Sequence, residues 1–129
     1  TWSQKYNLVW DRLLGLHLFP AEVAQREVAY YLTKQKAYGL PLDNRKDYTK
    51  LDWIVWTATL ADNPRDFNAF IEPAFQFTNT SPSRVPLTDW FDTVTNKVTG
   101  FQARSVVGGI FIKMLTDAPT WKKYSREGS

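Results

Sequence analysis

Residues 53–61 read WIVWTATLA, nine positions that are apolar or small on every side. Such a run predicts a helix, about 48–61, that is buried all round and not along one stripe only. Its neighbours differ. Pro20 opens a second helix, about 20–35, with proline in the first turn, Glu22 nearby and Lys34 and Lys36 towards the end. There Val23, Tyr30 and Tyr31 lie among Glu22, Gln25, Arg26 and Glu27, a two-faced pattern. A fourth helix, about 64–78, begins at Asn63-Pro64, a cap followed by proline at the first position. It sets Phe67, Phe70, Ile71 and Phe75 against Arg65, Asp66 and Glu72, and Pro73 inside it predicts a kink or a split.

The same spacing extends to both ends. Trp2, Tyr6, Val9, Trp10, Leu13 and Leu14 predict a first, inner helix stopping near Gly15. The run SVVGGIFIKML (105–115) predicts a buried fifth helix, about 101–115. Gly108 and Gly109 would each cost about 1 kcal/mol in an exposed helix, so they imply close approach of a neighbouring backbone. A short polar helix, about 118–126, follows, with Lys122, Lys123 and Arg126 on a solvated end.

Buried and amphipathic helices thus alternate. A four-helix bundle would make every helix amphipathic to a similar degree. Alternation predicts instead an all-α fold in two concentric layers, part of an (α/α)6 toroid, with about three helical hairpins of alternating inner and outer helices. Inner-to-outer links are short (LHLF, 16–19; DN, 62–63), whereas outer-to-inner links run over 36–47 and 81–100. Long loops gathered at one end carry function more often than short ones. Within the second, FDTVTNKVTGF (91–101) alternates around Thr95-Asn96 and predicts a small β-hairpin.

At 129 residues, 43% hydrophobic and 16% aromatic, the chain is the size of one domain and is not disordered. The formal charge of +3 is slight and the basic residues are scattered, which argues against a nucleic-acid partner. No apolar stretch is long enough to cross a bilayer and no signal peptide is visible, so no membrane partner is expected. Without cysteine there is no disulfide or thiol catalysis within the chain. With no histidine or cysteine cluster and no glycine-rich phosphate loop, neither a metal nor a cofactor is expected. His17, the single histidine, follows a helix end and reads as a C-terminal cap rather than a base. Asn79-Thr80-Ser81 fits the glycosylation pattern, a triplet common by chance. The chain opens at Thr1 inside what reads as helix, so residues 1–129 are expected to be one segment of a larger protein, cut at both ends.

Both long loops lead into the starts of inner helices, so their polar residues are expected to meet at one mouth. The third helix opens with Tyr48, Thr49, Lys50, Asp52 and Trp53, and the fifth with Gln102, Arg104 and Ser105. The loop stretch PLTDWFDT (86–93) adds Asp89, Trp90 and Asp92. Asp52, Asp89 and Asp92 are the catalytic candidates; Tyr48, Lys50, Trp53, Trp90, Arg104 and Ser105 are the substrate-binding ones. Each has a plainer alternative. Asp52 is equally a first-turn acid paired with Lys50 or Arg104, and Asp89 and Asp92 are equally turn caps. Arg104 is otherwise an ion-pair anchor, and Trp53 and Trp90 are otherwise core. Candidate chemistry is a carboxylate-activated water, or a hydroxyl nucleophile such as Ser105 or Thr49 near Lys50. Arg104 would hold a substrate carboxylate, and Asp52 or Asp89 an ammonium.

Four ordered motifs are specific: WSQKYNLVWDRLLGLHLFP (2–20), KQKAYGLPLDNRKDYTKLDWIVWTATLA (34–61), SRVPLTDWFDT (83–93) and GFQARSVVGGIFIKML (100–115). Together they resemble the six-helical-hairpin domain of the glutaminase A family, large secreted or periplasmic proteins of fungi and bacteria. The resemblance covers almost the whole chain and corresponds to the C-terminal part of that domain. It implies an α/α toroid, further domains elsewhere in the polypeptide including a β-rich N-terminal region, and a secreted or periplasmic location. It also implies hydrolysis of L-glutamine to L-glutamate and ammonia. It supplies no residue roles; those above rest on side-chain chemistry. The partners expected are a small-molecule substrate, glutamine or a sugar, and the remainder of the same polypeptide. Two alternatives stand beside the glutaminase. Paired acids beside tryptophans also suit a glycoside hydrolase-like, carbohydrate-active toroid enzyme. The chain is otherwise a purely structural portion of the toroid. By itself it is expected to be inactive, since half a ring leaves the mouth open.

Overall fold

The computed structural model describes residues 1–125 and is mainly helical. In chain order it holds α1 (Leu8–Leu13), α2 (Ala21–Leu32), strand β1 (Tyr48–Lys50), α3 (Leu51–Ala58) and α4 (Pro64–Thr80). Strand β2 (Trp90–Asp92), a 3-10 helix η1 (Ser105–Thr116) and α5 (Ala118–Ser125) follow. The two strands pair antiparallel, Tyr48 opposite Asp92, Thr49 opposite Phe91 and Lys50 opposite Trp90.

The all-round apolar helix α3 lies at the centre, packed against α1, α4 and η1. It buries Leu51, Ile54, Val55 and Ala58, and around it Val9, Tyr31, Leu40, Phe70, Phe77 and Phe91 complete the core. Phe77 of α4 and Phe91 of β2 stack with centroids 3.6 Å apart, joining the sheet to the helical core. Small polar residues fit within so apolar a helix because their hydroxyls are satisfied. Thr59 donates to the Val55 carbonyl at 2.8 Å and Thr57 to Gln4 Oε1 at 3.1 Å.

Helices α2 and α4 are two-faced as their sequences predict. The first buries Val28 and Tyr31; the second buries Phe70, Ala74 and Phe77 and leaves Phe75 exposed. Asn63 caps α4, its Oδ1 accepting from the Asp66 N–H at 2.9 Å, with Pro64 at the first position. Pro20 occupies the cap of α2 and not its first turn. The predicted split at Pro73 does not occur. Proline has no N–H to offer the Ala69 carbonyl one turn back, and Gln35 Nε2 donates to that oxygen instead, at 3.0 Å.

Four expectations need correction. The first helix starts at Leu8, not Trp2. Residues 2–4 are extended along 42–44, with Gln4 N–H on the Leu42 carbonyl at 2.7 Å and Asn44 N–H on the Trp2 carbonyl at 3.3 Å. Such cross-chain bonds replace the local ones a helix would make. The third helix starts at Leu51, because Tyr48–Lys50 is claimed by β2. The hairpin around Thr95-Asn96 forms, with a Phe91–Val98 bridge and Asn96 at φ 62°, but the main partner of β2 is β1. The fifth helix begins at Ser105, is a 3-10 helix, and is not buried: only Ile112 is inside, and Phe111 is 61% exposed. One side of η1 packs on α3; its other side has no cover among the described residues. Of the glycine pair, Gly109 makes a close approach, to the side chains of Asp52 and Trp56 and not to a neighbouring backbone, whereas Gly108 faces open space.

Smaller differences concern the ends. Gly15, at φ 61°, takes the left-handed position after α1, and His17 lies beyond it, so His17 is not the cap. Lys122 and Lys123 are exposed in the last turn of α5, and Arg126 lies outside the described residues. Among the described residues, no helix is long and apolar enough to cross a membrane.

Gln4 ties the extended N-terminal segment to the core. Its buried amide donates to the carbonyls of Leu40 and Pro41, each at 2.9 Å, and to Thr49 Oγ1 at 3.3 Å. Replacing Gln4 by leucine keeps the volume but strands these oxygens. The expected loss is about 2–3 kcal/mol in the free energy of urea unfolding.

Candidate active site

Lys50 precedes α3 in an extended conformation and offers no side-chain cap. The first N–H of the helix, on Leu51, is satisfied instead by the Asp89 backbone carbonyl at 2.6 Å. The side chain of Asp89 turns back to the same place. Its Oδ2 accepts from Lys50 Nζ at 3.1 Å. Arg104, which caps η1, grips both oxygens, Nε to Oδ1 at 3.1 Å and one terminal amino group to Oδ2 at 2.6 Å. Asp89 therefore fastens the starts of two helices. It is 1% exposed. Burial alone would raise its carboxyl, but the bonds from Arg104 and Lys50 outweigh that and hold it below the ordinary range. Aromatic faces steady both cations: Lys50 Nζ lies 4.3 Å from the Trp90 ring centre, and the Arg104 guanidinium 5.0 Å from that of Phe101.

Asp52, in the first turn of α3, is 5% exposed, and its Oδ1 has no hydrogen-bond partner. It pairs with neither Lys50 nor Arg104, because both are engaged by Asp89. Burial first, and then the Asp89 charge, push its carboxyl above the ordinary range; backbone amides at 52 and 53 and the Lys50 charge pull back only in part. The two aspartates thus diverge, Asp52 towards the neutral acid and Asp89 towards the carboxylate.

Lys50, Asp52, Trp53, Asp89, Arg104 and Ser105 line one cleft of about 580 Å³. Trp56, Val106 and Gly109 complete its walls and were not anticipated. Trp56 carried a signal: it stands one helical turn beyond Asp52 and Trp53 and so shares their face.

The structure does not bring Tyr48, Trp90 or Asp92 into that cleft. Asp92 Oδ1 accepts from the N–H groups of Val94 and Thr95, at 2.9 and 2.7 Å, and so caps the hairpin turn. Burial would raise its carboxyl, and these backbone bonds bring it below the ordinary range. Trp90 lies under Lys50, and Tyr48 meets it edge-on at 5.6 Å. Thr49 faces the core, fully buried beneath Gln4, out of reach as a nucleophile. Among the described residues, no group of three or more His, Asp or Glu converges on a point that would hold a metal ion.

Packed helices with a polar cleft at the starts of α3 and η1 define a helical-hairpin domain with a candidate ligand site. The model of the glutaminase A six helical-hairpin domain matches residues 1–114, and the chain belongs to that family. It is 39% identical over 114 residues to the protein named glutaminase A of Aspergillus oryzae, an alignment covering 85% of this chain and 16% of that relative. It is 27% identical over a 141-residue alignment to a protein of Arthroderma benhamiae named "Probable glutaminase", covering 86% of this chain and again 16% of the relative. The chain therefore spans about a sixth of the length of the curated relatives it matches. No solved structure matches it.

Removing the Asp89 carboxylate leaves two cations facing each other. For Asp89→Ala, about 2–4 kcal/mol of stability should be lost, the lower end of the buried range applying because Arg104 is partly exposed. The pH dependence has a sign. Asp89 is held below its ordinary value, so its contribution is present above the ordinary carboxylate range and is lost as pH falls through the lowered value. The gap in urea midpoint between the parent and Asp89→Asn should therefore close on acidification.

Proposed function

We propose that this chain supplies part of the active-site mouth of a glutaminase-like amidohydrolase whose other walls come from the remainder of the same polypeptide. One observation carries the assignment to the cleft: Asp52 lines it while 95% removed from solvent, and one of its oxygens is buried without a partner. A buried polar atom normally finds a partner. A substrate amide is a suitable one.

In this reading Asp52 is the proton donor. Hydrolysis of a side-chain amide forms a bond from water oxygen to the carbonyl carbon and breaks the carbon–nitrogen bond. The leaving nitrogen takes a proton from the Asp52 carboxyl, which is regenerated by the proton released from water. The Lys50–Asp89–Arg104 cluster has a net charge of +1 by the ordinary charges of its members. Arg104 keeps one terminal amino group free of Asp89, so a substrate carboxylate is well matched to it. Ser105, exposed at the start of η1, is the hydroxyl within the cleft. The group that deprotonates the attacking water is assigned to the remainder of the polypeptide. The toroid and a secreted or periplasmic setting, both implied by the family resemblance, belong to the same proposal, with the bare outer side of η1 as the surface that other helical hairpins cover.

A glycosidase is favoured by one feature, a raised and a lowered carboxyl in one cleft with Trp53 and Trp56. Against it, both oxygens of Asp89 are occupied by three bonds from cations, which makes it a poor nucleophile or base.

Ammonia release from L-glutamine by the intact polypeptide tests the assignment, with oligosaccharides as the competing panel. Asp52→Asn should lower kcat by roughly 100-fold or more, and Arg104→Lys should act mainly on KM. Cleavage of a glycan in place of glutamine would favour the glycosidase. Unchanged kcat/KM in every folded variant would leave this segment a scaffold.

A further inference from the structure

We propose that Gly109 and Trp56 are positioning residues that press η1 onto Asp52 and keep its carboxyl out of water. The inference rests on the reading of Asp52 as proton donor and adds what keeps it fit for that role. Trp56 Nε1 donates to the Gly109 carbonyl at 3.1 Å, the one side-chain hydrogen bond that ties α3 to η1 among the described residues. The indole is itself held in place, edge-on to Trp10 at 5.2 Å and to Tyr6 at 6.1 Å. At this point the helices touch. A Cβ on residue 109 would lie 2.9 Å from Asp52 Cβ and 2.9 Å from Trp56 Nε1. Asp52 Cβ is fixed to the helix backbone, so no side-chain rotation relieves that contact. The whole of η1 would have to retreat.

Gly109 is not required for backbone conformation, since its φ is not among the positive ones. Its role is space. The adjacent Gly108 supplies an internal control: the same helix and the same residue type, with nothing within 4 Å of its Cβ position.

Retreat of η1 would admit water to Asp52, whose elevated carboxyl depends first on burial. The charged and titratable groups that face Asp52 come from several elements. They are Lys50 at the end of β1, Asp89 before β2, Arg104 at the start of η1, and Tyr6, which stacks on Trp53 with centroids 4.1 Å apart. Lys50 and Arg104 are already bound to Asp89, so the desolvation set by η1 is the adjustable quantity.

The test uses the intact polypeptide and follows the protonated carboxyl band of Asp52 by infrared spectroscopy, assigned by its loss in Asp52→Asn. Glutamine hydrolysis is measured over the same pH range. Gly109→Ala should move the disappearance of the band, and with it the alkaline limb of kcat/KM, to lower pH, and cut kcat/KM at neutral pH roughly 10-fold. Gly108→Ala should leave both within about twofold of the parent. Should Gly109→Ala not fold, Trp56→Phe removes the donor while keeping an aromatic ring, and should shift both readouts the same way. A band that stays in place in folded Gly109→Ala or Trp56→Phe overturns the positioning role. The two ideas fail separately. An Asp52→Asn variant with full activity removes the proton-donor reading, while the band still reports on Gly109.

Discussion

The arrangement of this chain turns on what Asp89 holds. Its backbone carbonyl satisfies the first N–H of α3, and its side chain takes Lys50 from β1 and Arg104 from the start of η1. A carboxylate so deeply buried costs several kcal/mol in desolvation unless it is matched by charge and hydrogen bonds together. Two cations and three bonds meet that requirement. The same contacts fix where α3 begins, because the residue before it is drawn into the sheet while the residue after it is bonded to the loop. They also fix where η1 begins. Removing Asp89 would leave Lys50 and Arg104 without their counterpart, so the cluster is a structural constraint before it is a chemical one.

From that anchor, the central position of α3 follows. Its apolar surface is claimed on one side by Phe70, Ala74 and Phe77 of α4 and on another by η1. Contact with η1 is close enough to exclude a methyl group at residue 109. Yet η1 gives α3 only part of its own apolar surface. Phe111, Met114 and Leu115 remain exposed, and Trp121 of α5 is 55% exposed. Contiguous apolar surface of this kind is the mark of a face meant to be covered. The relatives the chain matches are about six times as long as the aligned segment.

How much of this was legible in the sequence depended on the distance over which each feature is decided. The Asn63-Pro64 start of α4, the two-faced α2 and the buried α3 are set by neighbours within a turn or two, and all were readable. The meeting of Lys50, Asp52, Asp89, Arg104 and Ser105 was also readable, because the two long loops lead into the starts of α3 and η1. Trp2 and Tyr6 misled. Their spacing suits a helix, but strand-like bonds to residues 42–44 decide the conformation, and those lie forty positions away. Apolar content misled again at η1, where a run fit for burial is not covered by the described residues. Pro73 shows the converse: a local rule forecast a break, and Gln35, from the loop after α2, supplied the missing donor. Asp92 could not be distinguished from Asp89 by sequence, since both are acids beside aromatics in one loop. Only the turn at Val94 and Thr95 separates them.

The character of Asp52 is the least expected consequence of the anchor. It occupies the first turn of a helix, where the dipole stabilises a negative charge by about 0.3–1 kcal/mol. A lysine stands two residues away and an arginine faces the same cleft. On those grounds it should be an ordinary carboxylate. Its carboxyl is raised because the favourable groups are already committed: the first N–H of the helix to the Asp89 carbonyl, Lys50 and Arg104 to the Asp89 side chain. For Asp52, burial and the repulsion of a neighbouring negative charge then outweigh what the backbone amides at 52 and 53 and the Lys50 charge contribute. Burial outweighs the dipole at this site because water is excluded on the η1 side, where Gly109 meets Asp52. The divergence between a raised and a lowered carboxyl is therefore not a property of either aspartate alone. It is imposed by one of them holding the ion pairs of both Lys50 and Arg104.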